Sequence, residues 1–280
     1  MLPYLTQAVA PMTHDVSAVN EFGERVTLSI PAERALTVYV DKRELVTLMT
    51  LGAQPELLVL GFLRNQRLLQ SASDVHSITV DWEVGAAAVK TQRGISDIEA
   101  RTAKRVVTTG CGQGSLFGDL RAEVDELVLP AANLTQAQLY GIVNAMRLQE
   151  STYKSTGSVH SCALFLGAEM LVFIEDVGRH NAIDTIAGWM WMKDAMSGAD
   201  KVFYTTGRLT SEMVIKSAQM GVPIVISRSG ITQMGLEVAQ RLGLCTIGRA
   251  THKRFLCYSA PERLQLEPQV RTGRSAPASL

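Results

Sequence analysis

Cysteine is scarce in this chain, with four residues in 280, at positions 111, 162, 245 and 257. So few, so widely spaced, exclude the disulfide framework of a small secreted domain and a four-cysteine zinc site, and reduced thiols are expected. Net charge is also missing. The 27 basic and 27 acidic residues cancel, so no global field draws the chain onto nucleic acid or an anionic membrane, and any anionic ligand must be held locally. No apolar run reaches the length of a membrane span. Residues 1–16, MLPYLTQAVAPMTHDV, lack a basic segment followed by an apolar one and a small-residue cleavage site. A cytoplasmic protein without nucleic-acid or membrane partners is therefore expected. Internal repeats and low-complexity blocks are absent as well.

What is present is ordinary globular text. With 46% hydrophobic residues, and at roughly 100 to 200 residues per domain, the length suits two units with real cores. ALTVYVDKRELVTLM alternates around a turn-like Asp41-Lys42 and predicts a β-hairpin. AQPELLVLGFLRNQRLL reads as a helix that starts at a proline, and HSITVDWEVGAAAVKT returns to strand alternation. AANLTQAQLYGIVNAMRLQES predicts a helix capped near Asn133. Beyond it, SCALFLG, EMLVFIEDVG, KVFYTTG and PIVISRSG are short apolar or β-branched runs, and HNAIDTIAGWMWMKDAM, SEMVIKSAQMG and TQMGLEVAQRLG are helical patterns between the later ones. The last two helices close on glycine. This alternation predicts an α/β sandwich with a largely buried sheet and several parallel neighbours.

Two kinds of site stand out. In VVTTGCGQGSLFGD, Cys111 has Gly110, Gly112 and Gly114 around it, a setting that turns the backbone sharply and leaves a thiol accessible. The other kind lies at strand-to-helix junctions, where ligands of an open α/β sheet collect. EDVGRHNAID crowds Glu175, Asp176, Arg179, His180 and Asn181 at a helix start. Asn181 or Asp176 could be a plain cap there, but the density favours an anion site made by Arg179, His180 and the helix N-terminus. TTGRLTSEM repeats the idea with Gly207 and Arg208, although Thr210 or Ser211 as a cap explains it equally well. SRSGITQMG does so again with Ser227 and Arg228, and the three loops together predict one composite pocket for a phosphorylated ligand. His160 either lines that pocket or is structural. Cys162 and Cys245, inside apolar runs, read as inert core residues. No Pro-Cys-x-x-Cys accompanies His160, so no bound metal is expected.

Taken together, VYVDKRELVTLMTLGAQPELLVLGFLRNQRLL, TTGCGQGS, GSVHSCALF, IEDVGRHNAIDTIAGW, the stretch from FYTTGRLTSEM to LGLCTIG, and RFLCYS resemble the formate dehydrogenase accessory sulfurtransferase family, FdhD, over residues 24 to 262. The resemblance implies an α/β fold in which a cytidine-deaminase-like three-layer domain over 131–262, without the deaminase zinc, follows a smaller α+β domain over 25–105. A flexible arm over 1–24, a mobile cysteine loop and linker over 106–130, and a tail over 263–280 complete the expected organisation. It also implies a sulfurtransferase that takes persulfide sulfur from a cysteine desulfurase on Cys111. The sulfur then passes to bis-molybdopterin guanine dinucleotide, containing molybdenum or tungsten, before that cofactor enters formate dehydrogenase. Phe255, Leu256, Cys257, Tyr258, Ser259 and Ala260 match a segment assigned to cofactor binding, beside the strand-end residues. One departure is visible. Where many members carry Cys-x-x-Cys, this chain has Cys111-Gly112-Gln113-Gly114, which leaves single-thiol carriage intact and removes a second loop thiol. A cofactor-binding chaperone that does not need Cys111, or a deaminase-like hydrolase, are the other readings. A homodimer is expected; Trp189 and Trp191 offer an apolar helix face for it, or equally are core residues of a helix that covers its own sheet, with the interface elsewhere.

Overall fold

Alternating apolar and polar residues build the N-terminal unit of the computed structural model, which describes residues 2–103, 105–107, 115–117, 127–193 and 200–267. Its strands are β1 (Tyr4–Leu5), β2 (Thr13–Val19), β3 (Arg25–Pro31), β4 (Arg34–Val40), β5 (Arg43–Thr50), β6 (Val75–Asp81) and β7 (Ala86–Thr91), with helix α1 (Pro55–Asn65) between β5 and β6. Five of them make one sheet in the order β1-β6-β7-β4-β5. The predicted hairpin is β4–β5, and Asp41 (φ 47°) and Lys42 (φ 72°) supply the two left-handed residues that a tight hairpin turn needs. Proline begins α1, where its missing N–H costs nothing. The apolar faces of helix and sheet meet in a core that includes Leu36, Val38, Leu58, Leu63 and Ile78.

The expectation of an irregular arm over residues 1–24 is not met. β1 pairs in parallel with β6. Thr6 Oγ1 and the Ala8 amide both donate to Glu56 Oε1, at 2.6 and 2.7 Å, and Trp82 Nε1 donates to the Ala8 carbonyl at 2.6 Å. Glu56 is buried in the first turn of α1 and needs donors, which the N-terminal segment supplies. β2 and β3 form a further hairpin, so a boundary at residue 24 would cut through it.

Helix α2 (Ile98–Ala103) and the antiparallel pair β8 (Arg105–Val107) and β9 (Ser115–Phe117) follow. Cys111 and most of residues 106–130 lie outside the described residues. The second unit contains β10 (Leu134–Thr135), α3 (Gln136–Leu148), α4 (Thr152–Thr156), β11 (His160–Leu166), β12 (Glu169–Asp176), α5 (Arg179–Met192), β13 (Lys201–Thr205), α6 (Ser211–Gln219), β14 (Ile224–Ser227), α7 (Gln233–Leu242), β15 (Cys245–Thr251), β16 (Arg254–Ser259) and β17 (Leu264–Gln265). Its six-stranded sheet runs β12-β11-β13-β14-β15-β16, with β13, β14 and β15 parallel and the outer pairings antiparallel. Helix α3 covers one face, and α5, α6 and α7 cover the other. The central strands are buried on both sides, which is why they read as unbroken apolar runs.

Two boundaries differ from the sequence reading. Asn133 does not cap α3; Thr135 does, in a reciprocal box in which its Oγ1 accepts from the Gln138 amide and Gln138 Oε1 accepts from the Thr135 amide. The expected tail does not begin at 263. β17 pairs in parallel with β10, and Arg263 donates to the carbonyls of Gly243 and Pro130, which ties this segment to the body. Residues 268–280 lie outside the described residues.

The two units are joined where α1 crosses α5. A Cβ on Gly61 would overlap the Asp184 carbonyl and come within 2.6 Å of the Gly188 amide, and a Cβ on Gly188 would overlap the Leu57 carbonyl. Backbone therefore packs on backbone. The tryptophans serve this contact rather than an external one: Trp191 belongs to the N-terminal core with the Arg64 guanidinium 5.3 Å above its ring, and Trp189 packs into the other core. The apolar face offered for pairing two chains is thus used inside one chain, where α5 is buried along most of its length. Gly188→Ala should therefore destabilise the protein by about 1–3 kcal/mol or more. Gly141→Ala, exposed on α3 with its nearest neighbour, Ala168 Cβ, at 3.5 Å, should be stabilising by roughly 0.5–1 kcal/mol. Urea denaturation of the two variants checks both signs.

Candidate functional site

The carboxyl ends of β12, β13 and β14, with the start of β11, form one edge of the six-stranded sheet. His160 opens β11 opposite Asp176, which closes β12, and Cys162 lies beside Thr205 at the end of β13. Thr205 Oγ1 accepts from the Gly207 amide at 3.0 Å, Ser227 Oγ donates to the Gly207 carbonyl at 2.7 Å, and Ser229 Oγ donates to the Thr206 carbonyl at 2.9 Å. These bonds lace two strand ends together, so Ser227 holds the loop rather than facing a ligand.

On the α5–α6 side, Arg179 begins α5 and lies against Gly207, where an added Cβ would come within 2.9 Å of Arg179 Cδ and 3.5 Å of His160 Nδ1. The loop needs glycine at 207 because the arginine passes there. Burial lowers the pKa of His160, and the charges of Arg179 and Arg208 lower it further. A neutral imidazole thus sits in a field set by two guanidinium groups, and that field favours an anion. Arg208 is exposed, whereas Arg179 is buried.

His180 points elsewhere. Its Nε2 lies 3.4 Å from Glu212 Oε2, and Glu212 and Asp184 flank the ammonium of Lys216 at 3.5 and 2.8 Å. Asn65, from α1, donates to Asp184 at 2.6 Å. Burial would push Lys216 down, but the two carboxyl groups outweigh it and hold its pKa above the ordinary value. Burial drives His180 down to about 2, helped by Lys216 and Arg179, so the ring is neutral at every ordinary pH. Its Nδ1, like Thr210 Oγ1 at the start of α6, is buried without a hydrogen-bond partner, the condition in which a polar atom waits for a ligand or a water. Thr210 occupies the N-cap position but its side chain makes no capping bond.

Asn181 does not cap α5. Its Nδ2 donates to Asp176 Oδ1 at 2.8 Å and to the Met49 carbonyl at 2.6 Å, and Asp176 also accepts from the Gly178 amide, Thr50 Oγ1 and the Leu51 amide. The pair is a second tie between the units, and Gly178 caps α5. Burial nonetheless raises the Asp176 pKa despite these donors.

Arg228 faces the other side of the sheet edge. Its guanidinium lies 5.9 Å over the Tyr153 ring, and with Ser161, Tyr204, Thr206 and His252 it lines a cavity of 170 Å³ beside α3. The residues of the expected single pocket therefore lie on two sides of one edge, Arg179 and Arg208 on one and Arg228 on the other, because successive strand-end side chains alternate between faces. Sequence reading left out Tyr153 and His252, which come from α4 and from the β15–β16 turn and carry no spacing signal. Glu175 accepts from the Thr152 and Tyr153 amides and from Ser161 Oγ, fixing Tyr153 in place.

The segment Phe255–Ala260 is largely β16, the sheet's last strand. Tyr258 covers Gly248, where a Cβ would come within 2.7 Å of its ring and 2.9 Å of the Ser229 carbonyl, so this segment reaches the strand-edge loops from one side. Leu256 is exposed, Ser259 is buried and bonded to the Leu244 carbonyl, and Phe255, Cys257 and Ala260 pack toward the core on the α3 side. Cys162 is buried and its thiol is pushed up to about 12 by burial.

Fold and geometry together define a mixed α/β protein whose six-stranded sheet carries arginines on both sides of one edge. The chain belongs to the FdhD/NarQ family, whose model matches residues 31–265. It is 31% identical over 238 residues to the sulfur carrier protein FdhD of Halalkalibacterium halodurans, covering 84% of this chain and 88% of that protein. To the sulfur carrier protein FdhD of Listeria innocua it is 30% identical over 245 residues, 86% and 93% of the two chains. A crystal structure of a protein from Desulfotalea psychrophila assigned as a formate dehydrogenase accessory protein is similar with a TM-score of 0.72 and 25% identity, over 90% of this chain and 98% of that one. Among the described residues no helix is long and apolar enough to cross a membrane.

The neutral His180 has a measurable consequence. Unfolded, the ring gains a proton below about pH 6.5; folded, it does so only near 2. Its contribution to stability is therefore complete above pH 6.5 and is lost as pH falls. Against a His180→Asn variant, the wild-type protein should lose roughly 1 kcal/mol per pH unit between about pH 6 and 4. An NMR titration of the folded protein in which the His180 ring inflects near neutrality would contradict this.

Proposed function

We propose that this chain is a cytoplasmic sulfur carrier that serves formate dehydrogenase. Its relatives' name, together with a family match that runs through both the cysteine loop and the strand-edge site, is the observation that carries the reading. In this reading the Cys111 thiolate attacks the outer sulfur of a persulfide on a cysteine desulfurase, which leaves as a thiolate. Cys111 keeps that sulfur as its own persulfide and delivers it to bis-molybdopterin guanine dinucleotide as the substrate, with Cys111 leaving as a thiolate and the reduced cofactor supplying the two electrons that take the sulfur to the sulfide level. Two of the other cysteines support Cys111 by their settings, since Cys162 and Cys245 are buried. The fold reading that accompanies it is a cytidine-deaminase-like domain without the deaminase zinc, consistent with the α/β/α layering.

The strand edge suits the nucleotide ends of such a cofactor. Arg179 and Arg208 offer cationic partners to phosphate on one side of the sheet, and Arg228 over Tyr153 offers a flat cationic and aromatic wall on the other. His160 stays neutral between the first two and becomes easier to protonate when an anion arrives. Tyr258 and its neighbours border the same loops from β16. The protein is proposed to act as a homodimer, through a surface other than the tryptophan helix.

Intact mass after incubation with a cysteine desulfurase and cysteine tests the carrier step. The wild-type protein should gain one reducible sulfur, Cys111→Ala none, and Cys162→Ala should behave as wild type. Label on another cysteine overturns the assignment, and full client activity with Cys111→Ala identifies a cofactor-binding chaperone instead. Calorimetry tests the site. Arg208→Ala and Arg228→Ala should each weaken GDP binding roughly tenfold, and equal affinity for ADP and GDP would remove the guanine part of the reading.

A further inference from the structure

The thiols of Cys245 and Cys257 meet diagonally across the last two strands of the large sheet, where Cys257 is paired with Ile247 and the register shifts beside Thr246. Cys245 lies on β15 and is fully buried, Cys257 lies on β16 and is half-buried, and their sulfurs are 3.9 Å apart. Both sit on the α3 side of the sheet, in and against the same core. A thiol that only fills space needs no second sulfur; Cys162, for comparison, bonds Thr205 Oγ1. From these contacts we propose that Cys245 and Cys257 are a redox-active dithiol that closes reversibly to a disulfide, with Cys257 as the thiol that meets the oxidant.

Three observations support this. Cys257 is the member of the pair open to solvent, so an oxidant reaches it first. The two thiols contact each other, and that contact lowers the pKa of Cys257 and raises that of Cys245, as suits an attacking thiolate and a waiting resolver. Closure to a bond of about 2.0 Å needs the sulfurs to approach by roughly 2 Å. β16 is an edge strand, and its register with β15 already shifts between Thr246 and Ile247 and again between Gly248 and Thr251. Few ladder bonds oppose that movement, and a bond closed against a twisted edge is readily reduced again.

The oxidant belongs to the class of low-molecular-weight disulfides. The Cys257 thiolate attacks one sulfur of that disulfide, forming a mixed disulfide and releasing one thiolate. Cys245 then loses its proton and attacks Cys257 Sγ, forming the Cys245–Cys257 bond and expelling the second thiolate, which takes the proton. The protein's two thiols lose two electrons, and the small disulfide gains both. Because Phe255–Ala260 is on the same strand, closure shifts the segment proposed to hold the cofactor; this consequence, unlike the dithiol itself, rests on the sulfur-carrier reading.

The test uses full-length Cys111→Ser protein, which keeps the three thiols of Cys162, Cys245 and Cys257 and does not require sulfur carriage. After treatment with oxidised glutathione, acid quench and alkylation under denaturing conditions, one thiol rather than three should be labelled. Peptide mapping should place the disulfide between 245 and 257, and dithiothreitol should restore all three thiols. Cys257→Ser and, as a second variant, Cys245→Ala should show no intramolecular closure. Three labelled thiols after oxidation, a stable glutathione adduct on Cys257 without closure, or a bond to Cys162 would each overturn the proposal. A carrier that fails the Cys111 mass test but passes this one would lose its proposed function and keep its dithiol.

Discussion

At the crossing of α1 and α5, two glycines let helix backbones meet without side chains between them. The rest of the architecture follows from that approach. It brings Asn65 to Asp184, lets the Arg64 guanidinium reach the Ala187 carbonyl at 2.9 Å, and places Met49, Thr50 and Leu51 against Asp176 and Asn181. Both units contribute groups to one buried polar seam. Such a seam adds little net stability while intact, since the desolvation of its charges offsets their attraction. Removing one member is costly, however, and this fixes how the units sit. The position of Arg179 and His180 at the start of α5 is therefore set by packing a full helix away, through a rigid rod anchored at Gly188.

The strand edge gathers positive charge. Arg179 lies buried at the positive end of a helix, within the influence of Arg208 and beside a histidine. Glu212 is an acid within its reach: burial raises the Glu212 pKa, and the Arg179 charge is among those that draw it down. In the proposed reading an anion bound between α5 and α6 would meet that charge. The buried, unbonded His180 Nδ1 and Thr210 Oγ1 fit the same interpretation. Beneath them, Lys216 with its two carboxyl groups forms a fixed floor. On the opposite face Glu175 holds Tyr153 for Arg228, so the two sides of the shared edge are built independently.

Much of this was legible in the chain. Asp41-Lys42 at a hairpin turn, proline at the start of α1, and glycine after α6 and α7 are local signals, and each element formed where its signal stood. The capping box Thr135-x-x-Gln138 was equally local, yet Asn133 is as good a cap by composition, and only the backbone direction separates them. The N-terminal segment read as irregular because its order comes from Glu56, Trp82 and β6, all distant in sequence. Gly61 and Gly188 gave no sign at all, since a helical glycine that admits a neighbouring backbone looks like one that merely weakens a helix.

By itself the sequence determined the alternation of strands and helices, the strand-end position of Arg179, Arg208 and Arg228, and the family resemblance, because these rest on residue order and local chemistry. The tertiary structure alone decided that Arg228 faces away from the other two, that His180 and Asn181 turn inward, that Trp191 closes a seam within one chain, and that Cys245 meets Cys257. Each of those depends on which side of a strand or helix a residue faces after the elements pack, and burial and partner choice are settled only when distant segments compete for the same space.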